Sequence, residues 1–485
     1  MGVATGDLRA SPRSAAPWAA AAVALFAGGA ALFWPGFSEY DSVDQYRQAL
    51  SGVYSDWHPP VMARVWQELH SLVGGGAGPL LLMQLAGWWL GLGLIAAALA
   101  AAGRCRAAAA TLAIGVLPPF LGWQVVVLKD AQLAGALLAA TGLVGCWRLR
   151  ARALPWWGWA AVAVLLGYAA LLRANAVFSV APLIALLATG LRARVRVALA
   201  VALIAAGLGV AGPINHGLLG ARHSGVERVE ALYDLAGIAV PVPATATLPL
   251  TRAERDAIRR KHCATPFFWD PLGDGDGCAA DIGHLQAKTT GALYRALAAA
   301  ALAHPLAYAR HRLSHLNMTE RWLVPAGLGG AAPPEGSEPN RLGLADPGAA
   351  AVVLQRWTGG VVDLPVAWPI VWLVLAMAAI ATARRRPPAP ARDLALALAG
   401  SAVAQEASFA AISIASDLRY HLWTMLATAL ALVLLADRPP PKQVRRVWGA
   451  VLAIVLLAGT ATRLALPRAP DDYAALLVWP AAPAL

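Results

Sequence analysis

Chemistry-bearing residues are few in this sequence, and they recur in short groups. Asp41 and Asp44 stand three apart in GFSEYDSVDQYRQA, so a helix there puts both carboxylates on one face. Either could serve as a general base. Either could also be an ordinary first-turn acid in a helix capped by Ser38 or Ser42. SDWHPPV follows, with Asp56, Trp57 and His58 ahead of a proline pair that fixes an extended approach to VMARVWQELHSL. Val61, Val65, Trp66 and Leu69 give that stretch the apolar stripe of an interfacial helix. Further along come Lys129 with Asp130, Arg173 with Asn175, and Asp417, Arg419, Tyr420 and His421 in SDLRYHLW. Each group alone reads as an anchor or a local ion pair. Together they could build a basic pocket that faces the first carboxylates and suits a phosphate group. Gln405 and Glu406 interrupt an apolar run, where a carboxyl is either neutral and hydrogen-bonded or functional.

The elements that must position these residues follow from composition. Of 485 residues, 59% are hydrophobic and 14% charged. Soluble domains carry about 25% charged residues. A soluble chain of this length needs more polar surface, and disorder needs far less apolar content. The sequence therefore predicts an all-α polytopic membrane protein. Eleven apolar segments approach the roughly 20 residues of a crossing: about 16–35, 78–101, 107–127, 131–147, 156–172, 176–191, 197–214, 361–383, 393–415, 420–435 and 447–466. Alternating strands of a β-barrel are absent. The net charge of +12 is nearly all arginine, and it forms no basic stripe with interleaved aromatics. Nucleic acid is therefore not an expected partner.

The cations orient the spans. Arg9 and Arg13 precede the first. Arg104 and Arg106 follow the second, Arg148, Arg150 and Arg152 the fourth, and Arg192, Arg194 and Arg196 the sixth. Arg384, Arg385, Arg386 and Arg392 follow the eighth, and Arg438, Lys442, Arg445 and Arg446 the tenth. All share one side if the spans alternate, and one missed span would invert every later cluster. Positive residues mark the cytoplasmic side. The expected N-terminus is thus cytoplasmic, and the large loop and C-terminus lie outside the plasma (inner) membrane. The first span ends in Phe33-Trp34-Pro35 without a small-residue cleavage site, and is expected to remain as an anchor.

Three units result. Residues 1–214 hold seven spans and an outer loop at 36–77. Residues 215–360 form an extracytoplasmic loop domain. Residues 361–485 hold four spans and an outer tail. Within the loop domain a charged helix near TRAERDAIRRKH is expected, then a helical stretch at 282–316 interrupted by Pro305, then an irregular connector at 326–348. Cys263 and Cys278 stand fifteen apart in this loop, where a disulfide is expected to brace the turn between them. Cys105 and Cys146 fall at cytoplasmic ends. A zinc site is not expected, since the loop has no second Cys pair at ligand spacing.

These residues resemble the GT-C superfamily of integral-membrane glycosyltransferases, which includes protein mannosyltransferases and aminoarabinose-type lipid transferases. The resemblance rests on Asp41 and Asp44 in YDSVDQ, on His58-Pro59-Pro60, on Lys129-Asp130, and on Asp417, Arg419 and Tyr420 in DLRYH. AHPLAYARHR at 303–312 is similar to a juxtamembrane helix of uncharacterised bacterial members. The likeness covers most of the chain in architecture, through short motifs in a common order. It implies transfer of a sugar from a polyprenyl-phosphate donor to an extracytoplasmic glycan, lipid or protein. Asp41 or Asp44 would be the base, and Lys129, Arg173 and Arg419 would hold the leaving phosphate. His58 would position the acceptor or bind a metal. Asp130, Asn175, Glu406, Asp417 and Tyr420 would complete the substrate-binding set. Some members use a divalent cation, Mg2+ or Mn2+. The first loop here reads Asp-Ser-Val-Asp rather than Asp-X-Asp, so the sequence assigns no metal ligands.

Two other classes compete. A transporter or flippase of a lipid-linked sugar would use the same pocket and Glu406, but the two related halves common in transporters are missing. A non-catalytic assembly protein would use the loop domain to bind a partner.

Overall fold

A computed structural model describes residues 15–243 and 245–480. Arg9 and Arg13 lie outside the described residues. The chain opens with α1 (Ala16–Phe33), followed by α2 (Tyr40–Ser51) and α3 (Val61–Val73) in the first loop. Then come α4 (Gly78–Ala101), α5 (Cys105–Ile114), α6 (Pro118–Gln124), α7 (Lys129–Arg148), α8 (Trp156–Leu172), α9 (Val177–Leu187) and α10 (Ala193–Gly212). The large loop contributes α11 (Val229–Ala239), α12 (Arg252–Arg260), α13 (Gly283–Gln286), α14 (Thr290–Ala303), α15 (Pro305–Thr319) and α16 (Ala349–Gly359). The chain closes with α17 (Pro369–Arg384), α18 (Pro390–Ile412), α19 (Leu422–Leu435), α20 (Lys442–Ala465) and α21 (Tyr473–Leu477). Among the described residues the architecture is all helical, with isolated bridges between extended segments.

Six helices are long and apolar enough to cross a membrane: Ala16–Phe33, Gly78–Ala101, Ala193–Leu218, Pro390–Ile412, Leu418–Leu435 and Lys442–Ala465. The chain is thus built as a polytopic membrane protein. α5 and α6 make a seventh if counted as one span, but they are bent by 53°. The sequence reads as one continuous helix over 107–127, and the break has a local cause. Pro118 and Pro119 cannot continue the hydrogen-bond ladder of α5. At Gly115 a Cβ would come within 2.7 Å of the Trp89 ring, so this turn packs tightly on α4. The remaining expected segments are helical too: α7 has 20 residues but carries Lys129, Asp130 and Arg148 and is not among the six, and the other three are shorter. α8, α9 and α17 are 17, 11 and 16 residues long. α9 contains Pro182, and α17 begins only at Pro369.

The central contact is α4 against α7. A Cβ on Gly91 would come within 2.4 Å of the Leu138 backbone, and one on Gly142 within 2.6 Å of the Gly91 Cα. Small residues let apolar helices approach this closely. Polar ties run along the same seam. Gln84 donates to the carbonyls of Gln124 and Val126 at 2.7 and 2.9 Å, and Gln132 donates to Leu80 O at 2.9 Å. These bonds fix residues 124–128, the segment that delivers Lys129.

One end of the bundle gathers several of the arginine clusters over helix ends. Arg104 donates to Leu434 O at 3.0 Å and Arg148 to Leu187 O at 2.6 Å. Arg386 pairs with Asp437 at 2.7 Å. Cations at helix C-termini satisfy free carbonyls and suit the helix dipole.

In the large loop, α12 is capped by Thr251, whose hydroxyl accepts from Glu254 N at 3.2 Å. Pro305 begins α15 and separates it from α14 at His304. Residues 326–348 are irregular. A disulfide joins Cys263 and Cys278, and both sit in a core with Tyr233, Leu235, Ile258 and Ile282.

Candidate active site

The site forms where the first loop meets the start of α7. Phe37 pairs with the 125–127 segment: its N–H donates to Val125 O at 3.1 Å, and its carbonyl accepts from Val127 N at 2.8 Å. The Ser42 hydroxyl then donates to Val127 O at 2.7 Å and accepts from Glu39 N at 3.1 Å. Ser42 thus pins the first turn of α2 to the approach of α7, which sets Asp41 beside Lys129. Between Trp57 and α3, Pro59 leads into Pro60, which already has helical backbone angles as the N-cap of α3, and His58 just before them reaches the same point.

Asp41 is the centre of the cluster. Lys129 Nζ lies 2.8 Å from its Oδ2 and Arg419 Nη2 3.1 Å from the same oxygen, while His58 Nε2 is 3.2 Å from Oδ1. Lys129 also lies 2.8 Å from His58 Nδ1. An ammonium has no acceptor, so Nδ1 must accept, and the neutral ring's proton resides on Nε2, facing Asp41. Burial, followed by the nearby Lys129 charge, lowers the His58 pKa and favours this neutral form. Burial alone would raise the Asp41 carboxyl, but Lys129, Arg419 and His58 together hold it well below its ordinary value.

Arg419 reaches two further carboxylates. It pairs with Glu39 through Nη1 and with Asp417 at 3.2 Å. Burial raises Glu39 from 4.5 to about 7, an effect that Arg419 only partly offsets. Arg173 pairs with Asp130 and donates from Nε to Asn175 Oδ1 at 3.2 Å. Its guanidinium lies 4.1 Å from the Tyr420 ring centroid, and that of Arg419 lies 5.5 Å away, so both cations interact with the Tyr420 ring.

The structure therefore brings Asp41, His58, Lys129, Asp130, Arg173, Asn175, Asp417, Arg419 and Tyr420 to one place. Asp44 lies one turn further on. It bonds Arg47 at 3.1 Å and Gln48 at 2.7 Å, outside the Asp41 cluster. Glu406 is buried in α18 and pairs with His421 Nδ1 at 2.7 Å rather than with a cation of the site. The pocket also differs from the basic one that the sequence suggests. Lys129, Arg173 and Arg419 each already face a carboxylate, so an incoming anion must displace one.

The large loop closes over this cluster. Trp57 and Trp269 lie 5.5 Å apart, Trp269 N donates to Ile414 O at 2.9 Å, and Glu338 N donates to Ser38 O at 2.7 Å. Leu418 N donates to Gly330 O at 2.8 Å. Gly330 has φ +67, and a Cβ there would come 2.3 Å from Asp417 Oδ1, so only glycine fits.

Sequence reasoning missed several residues here. Glu39 sits within the first acidic segment, but its role depends on Arg419, which only folding brings to it. Asp270 lies on the same side of the loop and bonds the Tyr473 hydroxyl at 3.2 Å; burial, with Asp417 next, raises it to about 6. Asp234 holds His311 at 3.2 Å and Arg312 at 3.0 Å, tying α11 to α15, while Arg312 reaches Ser413 O at 3.0 Å. No local spacing signals such pairs. Asp56, His216 and His223 form a separate group of ligand-type side chains.

Compared with known proteins, the chain matches no family model, and no curated protein or solved structure matches it significantly.

Proposed function

We propose that the protein is a membrane glycosyltransferase of GT-C type that moves a sugar from a polyprenyl-phosphate donor to an extracytoplasmic glycan, lipid or protein. The observation that carries this reading is the Asp41 carboxylate bound at once by Lys129, His58 and Arg419 at the ends of apolar helices. A lipid-linked phosphate keeps its tail in the membrane and its head group at that level.

The cluster suggests how donor and base are coupled. In the unliganded site Lys129 and Arg419 neutralise Asp41, which is then a weak base. A donor phosphate competes for the same two cations and draws them away. The freed Asp41 removes the proton from an acceptor hydroxyl as that oxygen attacks the anomeric carbon. The bond between sugar and phosphate breaks, and its electron pair leaves on the phosphate, where Lys129, Arg419 and Arg173 stabilise the charge. His58, held between Lys129 and Asp41, orients the carboxylate. Asp41, not Asp44, is the base in this reading.

Eleven crossings of the plasma membrane, with the N-terminus cytoplasmic and the large loop and C-terminus outside, fit the same scheme. Residues on the connections assigned outside meet in the site, and the arginine clusters assigned inside cap helices at one end. The short helices α8, α9 and α17 would cross by packing within the bundle.

The test is direct. Purified protein is given labelled polyprenyl-phosphate sugars, and transfer or slow donor hydrolysis is followed. Activity that is lost in Asp41→Asn supports the mechanism. A protein that only moves the lipid-linked sugar across vesicles, without cleaving it, is a flippase instead.

A further inference from the structure

Asp56, His216 and His223 come together from two distant segments. Asp56 N donates to Arg222 O at 3.1 Å and Arg222 N to Tyr54 O at 2.9 Å, so the first loop runs beside the chain that leaves α10. His216 lies in the π-turn Pro213–Leu218 that ends α10. Its Nδ1 is 2.8 Å from Ala221 O. A carbonyl only accepts, so Nδ1 carries a proton. Its Nε2 faces Asp56 Oδ2 at 3.4 Å, and His223 Nδ1 is 3.8 Å from the same oxygen. The two rings stack with centroids 3.7 Å apart. The other Asp56 oxygen accepts from Ser224 N at 2.6 Å, which leaves Oδ2 for the histidines.

A neutral His216 would aim a lone pair at a carboxylate oxygen. Something positive must lie between them, either a proton or a metal ion. A proton on His216 would serve that one contact, whereas a metal ion also engages His223, whose Nδ1 faces the same oxygen. A histidine that donates its other N–H to a backbone carbonyl also has the usual orientation of a metal ligand. We propose that Asp56 Oδ2, His216 Nε2 and His223 Nδ1 bind a divalent transition-metal ion of the Zn2+ class.

All three ligand atoms lie within 4.8 Å of one another. A tetrahedral zinc site needs roughly 3.3 Å between ligands. His223, with 73% of its side chain exposed, is free to swing the remaining distance. Two imidazoles with one carboxylate select zinc-like ions over Mg2+ or Ca2+, which take oxygen ligands. Asp56 stands two residues before His58. The ion thus fastens the loop that delivers His58 to Lys129 and Asp41, and acts as a positioning element without touching reacting atoms. The site stands whether or not the transferase reading holds.

The full chain in detergent, stripped with a chelator, is titrated with Zn2+ by calorimetry, and bound metal is counted by mass spectrometry after dialysis. The expected result is one Zn2+ per chain, with affinity at least tenfold weaker in His223→Ala and in Asp56→Asn, unchanged in His304→Ala, and not competed by Mg2+. The exposed His223 makes its alanine variant safe for folding, and its metal-free unfolding temperature should match that of the parent. Absence of Zn2+ binding overturns the proposal, as does equal affinity in the parent and His223→Ala.

Discussion

Lys129 Nζ sits 2.8 Å from Asp41 Oδ2, although 88 residues separate them. Lys129 also begins α7, where a cation opposes the helix dipole. Asp41 and His58 are what hold it there. In Lys129→Met the carboxylate loses its nearest cation while remaining mostly buried. Breaking a buried pair from one side costs about 3–5 kcal/mol. Chemical unfolding in detergent is expected to show a loss of that order, and a loss below about 1 kcal/mol would mean the pair contributes little.

Asp41 and Asp44 are separated by one turn of α2 and by their partners. Asp41→Asn should lower sugar transfer by about 10²–10⁴-fold, the usual range for a positioned base. Asp44→Asn removes only a surface contact with Arg47 and Gln48. Its transfer rate should stay within about threefold of the parent, since surface changes rarely exceed about 0.5 kcal/mol. Reversal of the two effects in a transfer assay would reassign the base.

Glu39 gives a pH signature. Burial raises its carboxyl from 4.5 to about 7, so the folded state binds this proton more tightly than the unfolded chain. The stability it contributes is full below about 4.5 and is lost as pH rises to about 7. Glutamine mimics the protonated form. Unfolding temperatures measured from pH 4.5 to 8 should therefore fall less in Glu39→Gln than in the parent. Asp41 acts in the opposite sense, below its ordinary value of 3.8, and does not enter that window. Parallel curves for parent and variant would rule out a raised Glu39.

Much of the helix pattern was legible because it depends on local runs of apolar residues. The proline pairs at 59–60 and 118–119 also had local effects, although the second broke a helix that composition alone makes continuous. The site was partly legible for a different reason. Lys129, Arg173 and Arg419 stand out as rare cations in connections that otherwise lack them. That they face the carboxylates of the first loop was legible as well, but which cation meets which carboxylate was not. Arg419 meets Glu39 across 380 residues, and His216 meets Asp56 only because the chain after α10 returns beside the first loop. Such pairings depend on how helices pack, and no spacing in the sequence encodes them.

Topology has its own test. The Cys263–Cys278 disulfide lies in the large loop, and such bonds persist in oxidising compartments. A reporter that is active only outside the cytoplasm, fused near residue 300, should therefore be active. A fusion in the connection between α17 and α18, which carries Arg384, Arg385, Arg386 and Arg392, should be inactive. The opposite pattern in stable fusions would invert the orientation.

The seam between α4 and α7 links packing to the site. A Cβ on Gly142 would lie 2.6 Å from the Gly91 Cα, and backbone cannot yield as a flexible side chain can. Gly142→Val must push the two helices apart. Overpacking of this kind costs about 1–3 kcal/mol. The same shift loosens the Gln84 and Gln132 bonds that fix the approach to Lys129. Gly167→Val in α8 is the control, because nothing lies within 4 Å of its added Cβ. Gly142→Val is expected to lower the unfolding temperature and to weaken donor binding, while Gly167→Val changes neither. Equal behaviour of the two variants would show that close approach of α4 and α7 does not set the position of Lys129.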